Sequence, residues 1–109
     1  MATELSGIVK AYFDAERRDD IETRTACFAE NGVVRDENKT IEGRTAIKEW
    51  MADAKRQYAY TAEPLNTQTR DDGAVIVTAK VAGTFPNSPI TLDYAFTLQN
   101  GEIAELEIG

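Results

Sequence analysis

The spacing of apolar residues changes once along this chain, near Tyr58, and that change restricts the fold more than any single motif. Before Tyr58, apolar residues recur every three to four positions, which is the period of a helix buried on one face. After Tyr58 they alternate with polar residues, which is the period of a half-buried strand. This order predicts an α+β fold in which helices pack on a sheet.

The helical part of the sequence predicts three helices, over residues 3–17, 20–28 and 45–56. Thr3 is a candidate N-cap of the first helix and Asp20 of the second, because both side chains can accept hydrogen bonds from the free amides of a first turn. Asn31-Gly32 predicts the end of the second helix and a turn into a strand. Two short strands are then predicted, over residues 33–36 and 40–42, with a turn at 37–39.

The part after Tyr58 predicts four strands, over residues 60–70, 74–85, 90–99 and 102–108. The joints between them contain the Gly, Pro, Asn and Asp residues that form tight turns. Short joints between consecutive strands favour antiparallel pairing. Because 109 residues suffice for one core, we expect a single domain over residues 1–109, with three N-terminal helices on an antiparallel sheet.

The two faces of this sheet differ in composition. One face is apolar and should pack against the helices. Its members are Val75, Val77, Ala79, Val81, Phe85, Ile90, Leu92, Tyr94, Phe96 and Leu98. The opposite face carries mainly small and β-branched residues, such as Ile76, Thr78, Ala82, Thr91, Ala95 and Thr97. Such a face is flat enough to pack on another sheet, so we expect a homodimer formed through the outer face.

Composition limits the partners and the chemistry. With 12 Lys and Arg against 19 Asp and Glu, the formal net charge is −7, which argues against nucleic acid and anionic membranes as partners. No apolar run approaches the roughly 20 residues of a membrane span, and the N-terminus lacks the basic start of a secretory signal. A single cysteine permits no intrachain disulfide, so we expect a cytoplasmic protein. The absence of histidine excludes Ser-His and Cys-His nucleophilic catalysis.

Asp36 is the candidate functional residue that the sequence singles out by itself. It lies two positions after Val34 in a predicted strand, so the two side chains share a face. A carboxylate at such a core-facing position is unusual, and burial in an apolar cavity would raise its pKa toward the range of a general base near neutral pH. The alternative is a turn residue whose carboxylate caps the amides of residues 37–39. The sequence leaves both interpretations open.

Four segments occur in a characteristic order and spacing. They are Asp20-Ile21-Glu22, Cys27-Phe28-Ala29-Glu30-Asn31, Val34-Arg35-Asp36, and Glu42-Gly43-Arg44-Thr45-Ala46-Ile47 with Trp50. In this arrangement the chain resembles the nuclear-transport-factor-2-like superfamily, which includes ketosteroid isomerase, scytalone dehydratase and the SnoaL-like polyketide cyclases. The resemblance covers nearly the whole chain. It implies a cone-shaped half-barrel in which three helices close one side of a curved antiparallel sheet and leave an apolar pocket at the open end.

Residues 12–36 resemble ketosteroid isomerase in particular, without a gap. That resemblance implies a catalytic role for three residues: Asp36 as general base, Tyr12 as hydrogen-bond donor to the developing oxyanion, and Tyr94 as a second donor where the isomerase has a protonated aspartate. It further implies a pocket for a small apolar molecule and a reaction that needs neither metal nor cofactor. The candidate substrate-binding residues are Phe13, Val34, Trp50 and Phe96.

Two classes of function are compatible with these residues. The first is a cofactor-free isomerase, cyclase or dehydratase that abstracts a proton next to the carbonyl group of a small, mainly apolar substrate. The second is a non-catalytic ligand-binding or dimerisation module of the same fold, in which Tyr12, Tyr94 and Trp50 are core residues. Protein transport, as in the factor that names the superfamily, has no distinguishing feature in the sequence. Whether the chain is an enzyme stays open on the sequence alone.

Overall fold

A computed structural model describes residues 7–36 and 38–109, and within them the chain forms three helices and six strands. These are α1 (Gly7–Arg17), α2 (Ile21–Ala26), β1 (Phe28–Asp36), β2 (Lys39–Glu42), α3 (Arg44–Tyr58), β3 (Thr61–Thr69), β4 (Val75–Ala82), β5 (Ile90–Gln99) and β6 (Glu102–Ile108). The predicted N-cap Thr3 lies outside the described residues, as does Glu37 of the predicted turn. None of these three helices has the length and apolarity that crossing a bilayer requires.

The six strands form one mixed sheet in the order β2-β1-β6-β5-β4-β3. Every neighbouring pair is antiparallel except β1 and β6, which run parallel. The helices pack on this sheet, which does not close into a barrel, so the predicted α+β class is confirmed. Antiparallel pairing is correct for the strands that tight turns connect. It does not extend to β1 and β6, because no turn joins them and turn chemistry therefore does not set their relative direction.

Strand β1 differs from the prediction at its start. The sequence predicts a helix up to Phe28 and a turn at Asn31-Gly32, whereas β1 already begins at Phe28. The turn residues lie in a bulge instead, because β1 advances five residues between Phe28 and Val33 while its partner β6 advances two. A Cβ at Gly32 would lie 3.0 Å from the Ala29 carbonyl oxygen, so the crowded bulge accounts for the glycine.

Helix α2 begins as predicted. The Asp20 carboxylate accepts hydrogen bonds from the Thr23 backbone amide at 3.1 Å and from the Thr23 hydroxyl at 2.7 Å, which confirms Asp20 as the N-cap. The helix ends at Ala26, two residues earlier than predicted. Its buried residues are Arg24 and Thr25, so this short helix turns a cationic side chain toward the core.

Aromatic rings fill the space between α1 and the sheet. The Phe96 ring lies at the centre, with centroid distances of 5.3 Å to Tyr12, 5.8 Å to Phe13 and 6.4 Å to Tyr94. The predicted core face of the sheet is confirmed at Val77, Ala79, Val81, Tyr94 and Phe96, all of which are buried. It is wrong at Leu98, which is 39% exposed near the end of β5, just past a register shift against β6.

Candidate functional site

A cavity of about 580 Å³ lies between α3 and the core-facing side of the sheet. Helix α3 contributes residues at spacings of three and four, which share one helix face: Trp50, Asp53, Ala54, Gln57 and Tyr58. The rest of the cavity wall includes Asp36, Lys39, Tyr60, Val81, Leu92, Tyr94 and Ile108. Most of the lining is apolar or aromatic with a few polar groups, so the cavity suits a small, mainly apolar molecule.

Asp36 and Tyr94 lie in one row across the sheet. In the register of three adjacent strands, Asp36 pairs with Ile108, and Ile108 pairs with Tyr94. Paired residues on neighbouring strands project to the same face. Because each strand spacing is about 4.8 Å, the Cα atoms of Asp36 and Tyr94 lie about 10 Å apart. Ile108 lies between them in the row, and all three residues line the cavity, so a molecule in the cavity can contact both the carboxylate and the phenol.

Asp36 itself is half-buried at the end of β1. Val34 is fully buried, whereas Arg35 points to the other face and its Nε donates to Glu105 at 3.0 Å. This alternation agrees with the predicted shared face of Val34 and Asp36. Lys39 lies directly opposite Asp36 in the pairing of β1 with β2, and both residues also line a second, adjoining cavity of about 570 Å³. The carboxylate therefore lies at a junction of two cavities, with a cationic residue on the neighbouring strand.

Tyr94 presents a neutral phenol to the cavity. Its side chain is 3% exposed, and burial raises the pKa of the phenol well above its usual range. The hydroxyl is therefore protonated at neutral pH and can donate a hydrogen bond to an oxygen of a ligand. Of the residues that the sequence assigns to the site, Asp36, Tyr94 and Trp50 line the cavity.

The other assigned residues lie in the core and not on the cavity wall. Phe13, Val34 and Phe96 are buried, and none of them is among the described residues that line the cavity. Tyr12 is fully buried as well, and its hydroxyl accepts a hydrogen bond from Arg24 Nη2 at 2.9 Å. Burial raises the pKa of Tyr12 to about 12, so the phenol is neutral but has no contact with the cavity. The reason is that α1 packs its whole apolar stripe into the aromatic core.

Arg24 is a candidate that sequence reasoning misses. Its side chain is 1% exposed, and Nη2 donates to the hydroxyls of Tyr12 at 2.9 Å and Tyr60 at 2.7 Å. Nε and Nη1 have no hydrogen-bond partner among the described residues, and no carboxylate in that part of the chain forms an ion pair with Arg24. One signal is present in the sequence. Ile21, three residues before Arg24, and Phe28, four residues after it, are apolar, so the predicted helix over residues 20–28 would have Arg24 on its apolar face, although Phe28 in fact begins β1.

Sequence reasoning also misses a partly buried ion pair beside Tyr60. Lys55 of α3 donates to the Glu16 carboxylate at 3.0 Å and to the Tyr60 carbonyl at 2.7 Å. Its ammonium lies 4.4 Å from the centroid of the Tyr60 ring. Glu16 is 2% exposed and Lys55 16% exposed. Tyr60 is therefore held by two cations, Arg24 at its hydroxyl and Lys55 at its backbone and ring.

Solved structures that share this fold include one from Sinorhizobium meliloti, named as a proposed polyketide cyclase. It is 44% identical to this chain, covers 96% of this chain and 95% of its own, and has a TM-score of 0.92. SalBIII, an epoxide hydrolase/cyclase-like enzyme with a role in pyran ring formation in the polyether salinomycin, is 26% identical over 93% of this chain and 85% of its own, with a TM-score of 0.79. A Catenulispora acidiphila protein with a ketosteroid isomerase-like fold, in complex with trimethylamine, is 19% identical over 94% of this chain and 83% of its own, with a TM-score of 0.79.

Among proteins with curated descriptions, none matches this chain. The profile of the SnoaL-like domain family matches residues 9–106, which is nearly the whole sequence. The 44% identity to the Sinorhizobium meliloti protein over almost the full length of both chains agrees with that match. The predicted membership of the nuclear-transport-factor-2-like superfamily is thereby confirmed, and the chain belongs to the SnoaL-like domain family.

Proposed function

We propose that this SnoaL-like protein is a cofactor-free enzyme that moves a proton next to the carbonyl group of a small, mainly apolar substrate, with Asp36 as general base. The observation that carries the proposal is the row formed by Asp36, Ile108 and Tyr94, in which a carboxylate and a neutral phenol share one face of the cavity. Two relatives support cyclase-type chemistry. One carries the name of a proposed polyketide cyclase, and SalBIII has a role in pyran ring formation.

In the proposed reaction the Asp36 carboxylate removes a proton from the carbon next to the carbonyl group. The electron pair of that C–H bond forms the C=C bond of an enolate, and the π pair of the carbonyl group moves onto its oxygen. The Tyr94 hydroxyl donates a hydrogen bond to this oxygen as its negative charge develops. In an isomerisation, protonated Asp36 then returns the proton to another carbon of the enolate. In a ring closure, the enolate carbon first forms a bond to a second carbonyl carbon of the same substrate, and protonated Asp36 gives the proton to the oxygen that becomes an alkoxide. Neither course adds or removes atoms. A positioned base of this kind contributes about 10²–10⁴ in rate.

The test is the exchange of hydrogen for deuterium next to the carbonyl group, because exchange follows proton abstraction and does not require the natural substrate. A panel of small cyclic and aryl ketones is incubated with the protein in D₂O, and NMR follows the loss of the C–H signal. Asp36→Asn keeps the shape and removes the base, so we expect the exchange rate to fall by about 10²–10⁴. Asp93→Asn is the matched control, because Asp93 is exposed on the opposite face, next to Tyr94 in the chain.

We expect Asp93→Asn to exchange at the wild-type rate. Equal rates for wild type and Asp36→Asn would show that Asp36 is not the base. Ligand binding by the wild-type protein without exchange of any ketone would instead support the alternative function, a non-catalytic ligand-binding module.

We also propose that the protein forms a homodimer through the outer face of its sheet. Thr78, Ala82 and Ala95 on this face are small or β-branched and half-buried, which gives a flat surface for a second sheet. Sedimentation velocity at micromolar concentration should therefore give twice the mass of the chain. Ala95→Arg, which puts a bulky charge on the face, should give the mass of one chain. A wild-type protein that sediments only as a monomer would refute the dimer.

A further inference from the structure

Lys39 is the one cationic residue among the described residues that line the first cavity, of about 580 Å³. Its ammonium forms no ion pair within the described part of the chain. Lys39 pairs with Asp36 across β1 and β2, so both side chains project to the core-facing side of the sheet, with Cβ atoms about 4.5–5.5 Å apart. Because Lys39 is exposed, this cation lies at the mouth of the cavity and not in its buried wall.

The other charged residues that line this cavity are carboxylates. Asp36 lies beside Lys39, and Asp53 of α3 forms an ion pair with Arg56, which is outside the described lining. Carboxylates repel an anionic ligand, whereas an ammonium has three hydrogen-bond donors and attracts one. Lys39 therefore determines whether the cavity accepts an acid.

The second cavity, of about 570 Å³, adjoins the first at Asp36 and Lys39 and has a more polar wall. The strands β1, β2 and β6 and the turn at the end of β1 contribute polar residues to it: Arg35, Asn38, Thr40 and Glu107. The first cavity instead has several aromatic residues, among them Trp50, Tyr58 and Phe85. A molecule with an apolar ring and a polar end therefore fits the junction in one direction, with its polar end toward Lys39.

We infer that Lys39 binds a carboxylate group of the substrate where the two cavities meet. The inference rests on the proposed function and names the class of its substrate, a ring compound that carries both a carbonyl group and a separate carboxylate. The ring lies against the aromatic residues of the first cavity. The carboxylate stays at the mouth beside water, so its charge is not buried. Lys39 is a specificity-determining residue that selects the acid and takes no part in the proton transfer.

The test compares the binding of an acid with that of a neutral molecule of the same shape. The probes are 3- and 4-acetylbenzoate and the corresponding amides, 3- and 4-acetylbenzamide. The indole N–H signal of Trp50, the single tryptophan and a lining residue, reports binding in the first cavity by NMR. We expect the wild-type protein to bind at least one acid about threefold to tenfold more tightly than its amide at low salt. Added salt should reduce this preference, because it screens a charge at the mouth.

Three variants assign the preference to Lys39. Lys39→Met removes the charge and keeps an unbranched side chain, so it should bind the acid no more tightly than the amide, and the amide as the wild type does. Lys39→Arg restores the charge and should keep the preference. Lys48→Met is the matched control, because it removes the same charge from a lysine of α3 that is not among the described residues lining either cavity. It should keep the preference as well.

Four results would overturn the inference. They are a wild-type protein that binds the amides as tightly as the acids, a wild-type protein that binds none of the probes, a folded Lys39→Met variant that keeps the preference, and a Lys48→Met variant that loses it to the same extent. The last result would assign the preference to net charge. The readout does not depend on turnover. A preference for the acid without deuterium exchange would remove the proposed catalysis and leave the carboxylate site standing, and exchange of ketones without the preference would do the reverse.

Discussion

Replacing Phe96 by alanine is expected to lower the free energy of unfolding by about 3–5 kcal/mol. The ring is fully buried and contacts the rings of Tyr12, Phe13 and Tyr94. Its removal leaves a void between three rigid rings, which can close only in part around the missing volume. Urea denaturation, followed by the fluorescence of the single tryptophan, Trp50, measures the loss.

Leu98→Ala is the control for this prediction. Leu98 lies two residues further along β5, and the alternation of the sequence assigns it to the same core face as Phe96. In the structure it is 39% exposed, so we expect a loss of about 1 kcal/mol or less. Similar losses in the two variants would contradict the packing described for the aromatic core.

Replacing Lys55 by methionine is expected to destabilise the fold by about 3–5 kcal/mol. The variant leaves the Glu16 carboxylate, which is 2% exposed, without the ammonium that lies 3.0 Å from it. A buried charge without its partner is far less stable than the intact pair, because neither water nor the ammonium then stabilises it. Thermal and urea unfolding of wild type and variant measure the difference.

The double variant Glu16→Gln with Lys55→Met separates the buried charge from the other contacts of Lys55. The double variant and Lys55→Met both lose the hydrogen bond from Lys55 to the Tyr60 carbonyl. The difference between their free energies of unfolding therefore reports the Glu16 carboxylate alone. We expect the double variant to recover most of the loss. Lys48→Met is the exposed control, since the Lys48–Glu22 pair is solvated and should contribute less than about 1 kcal/mol. A double variant no more stable than Lys55→Met would contradict the prediction.

Strand periodicity is sufficient to assign Asp36 and Tyr94 to the core-facing side of the sheet, because alternation is a local property. It does not separate cavity from core, since Val34 and Phe96 share that side and are not among the described residues that line the cavity. The distance of two positions from Val34 assigns Asp36 to the core-facing side, and Tyr94 follows in the same way within β5. Helix periodicity is less informative for Tyr12 and Phe13. It predicts that they face the sheet, but a core position and a cavity wall both require an apolar helix face. Whether Tyr12 and Phe13 lie in the core or on the cavity wall depends on how closely the aromatic rings pack, and the helix period does not specify that.

Arg24 could not be predicted as a buried residue from local pattern alone. A polar side chain on a six-residue helix is normally solvated, and its burial here depends on Tyr12 and Tyr60, which lie 12 and 36 residues away in the chain. The bulge at Asn31-Gly32 also depends on contacts between residues that are distant in the chain. Its residues are typical of a turn, and only the pairing of β1 with β6 shows that the strand continues through them.

The parallel pairing of β1 with β6 also determines when the strands can pair during translation. Asp36 meets its neighbour Ile108 only after the ribosome has added 72 further residues. Until then, one edge of β1 has no strand beside it, and the hairpin with β2 is the part of its pairing that the nascent chain can already form. The carboxylate thus takes its place in one row with the phenol only after β6 has been synthesised, which is later than the helices and hairpins that precede it in the chain.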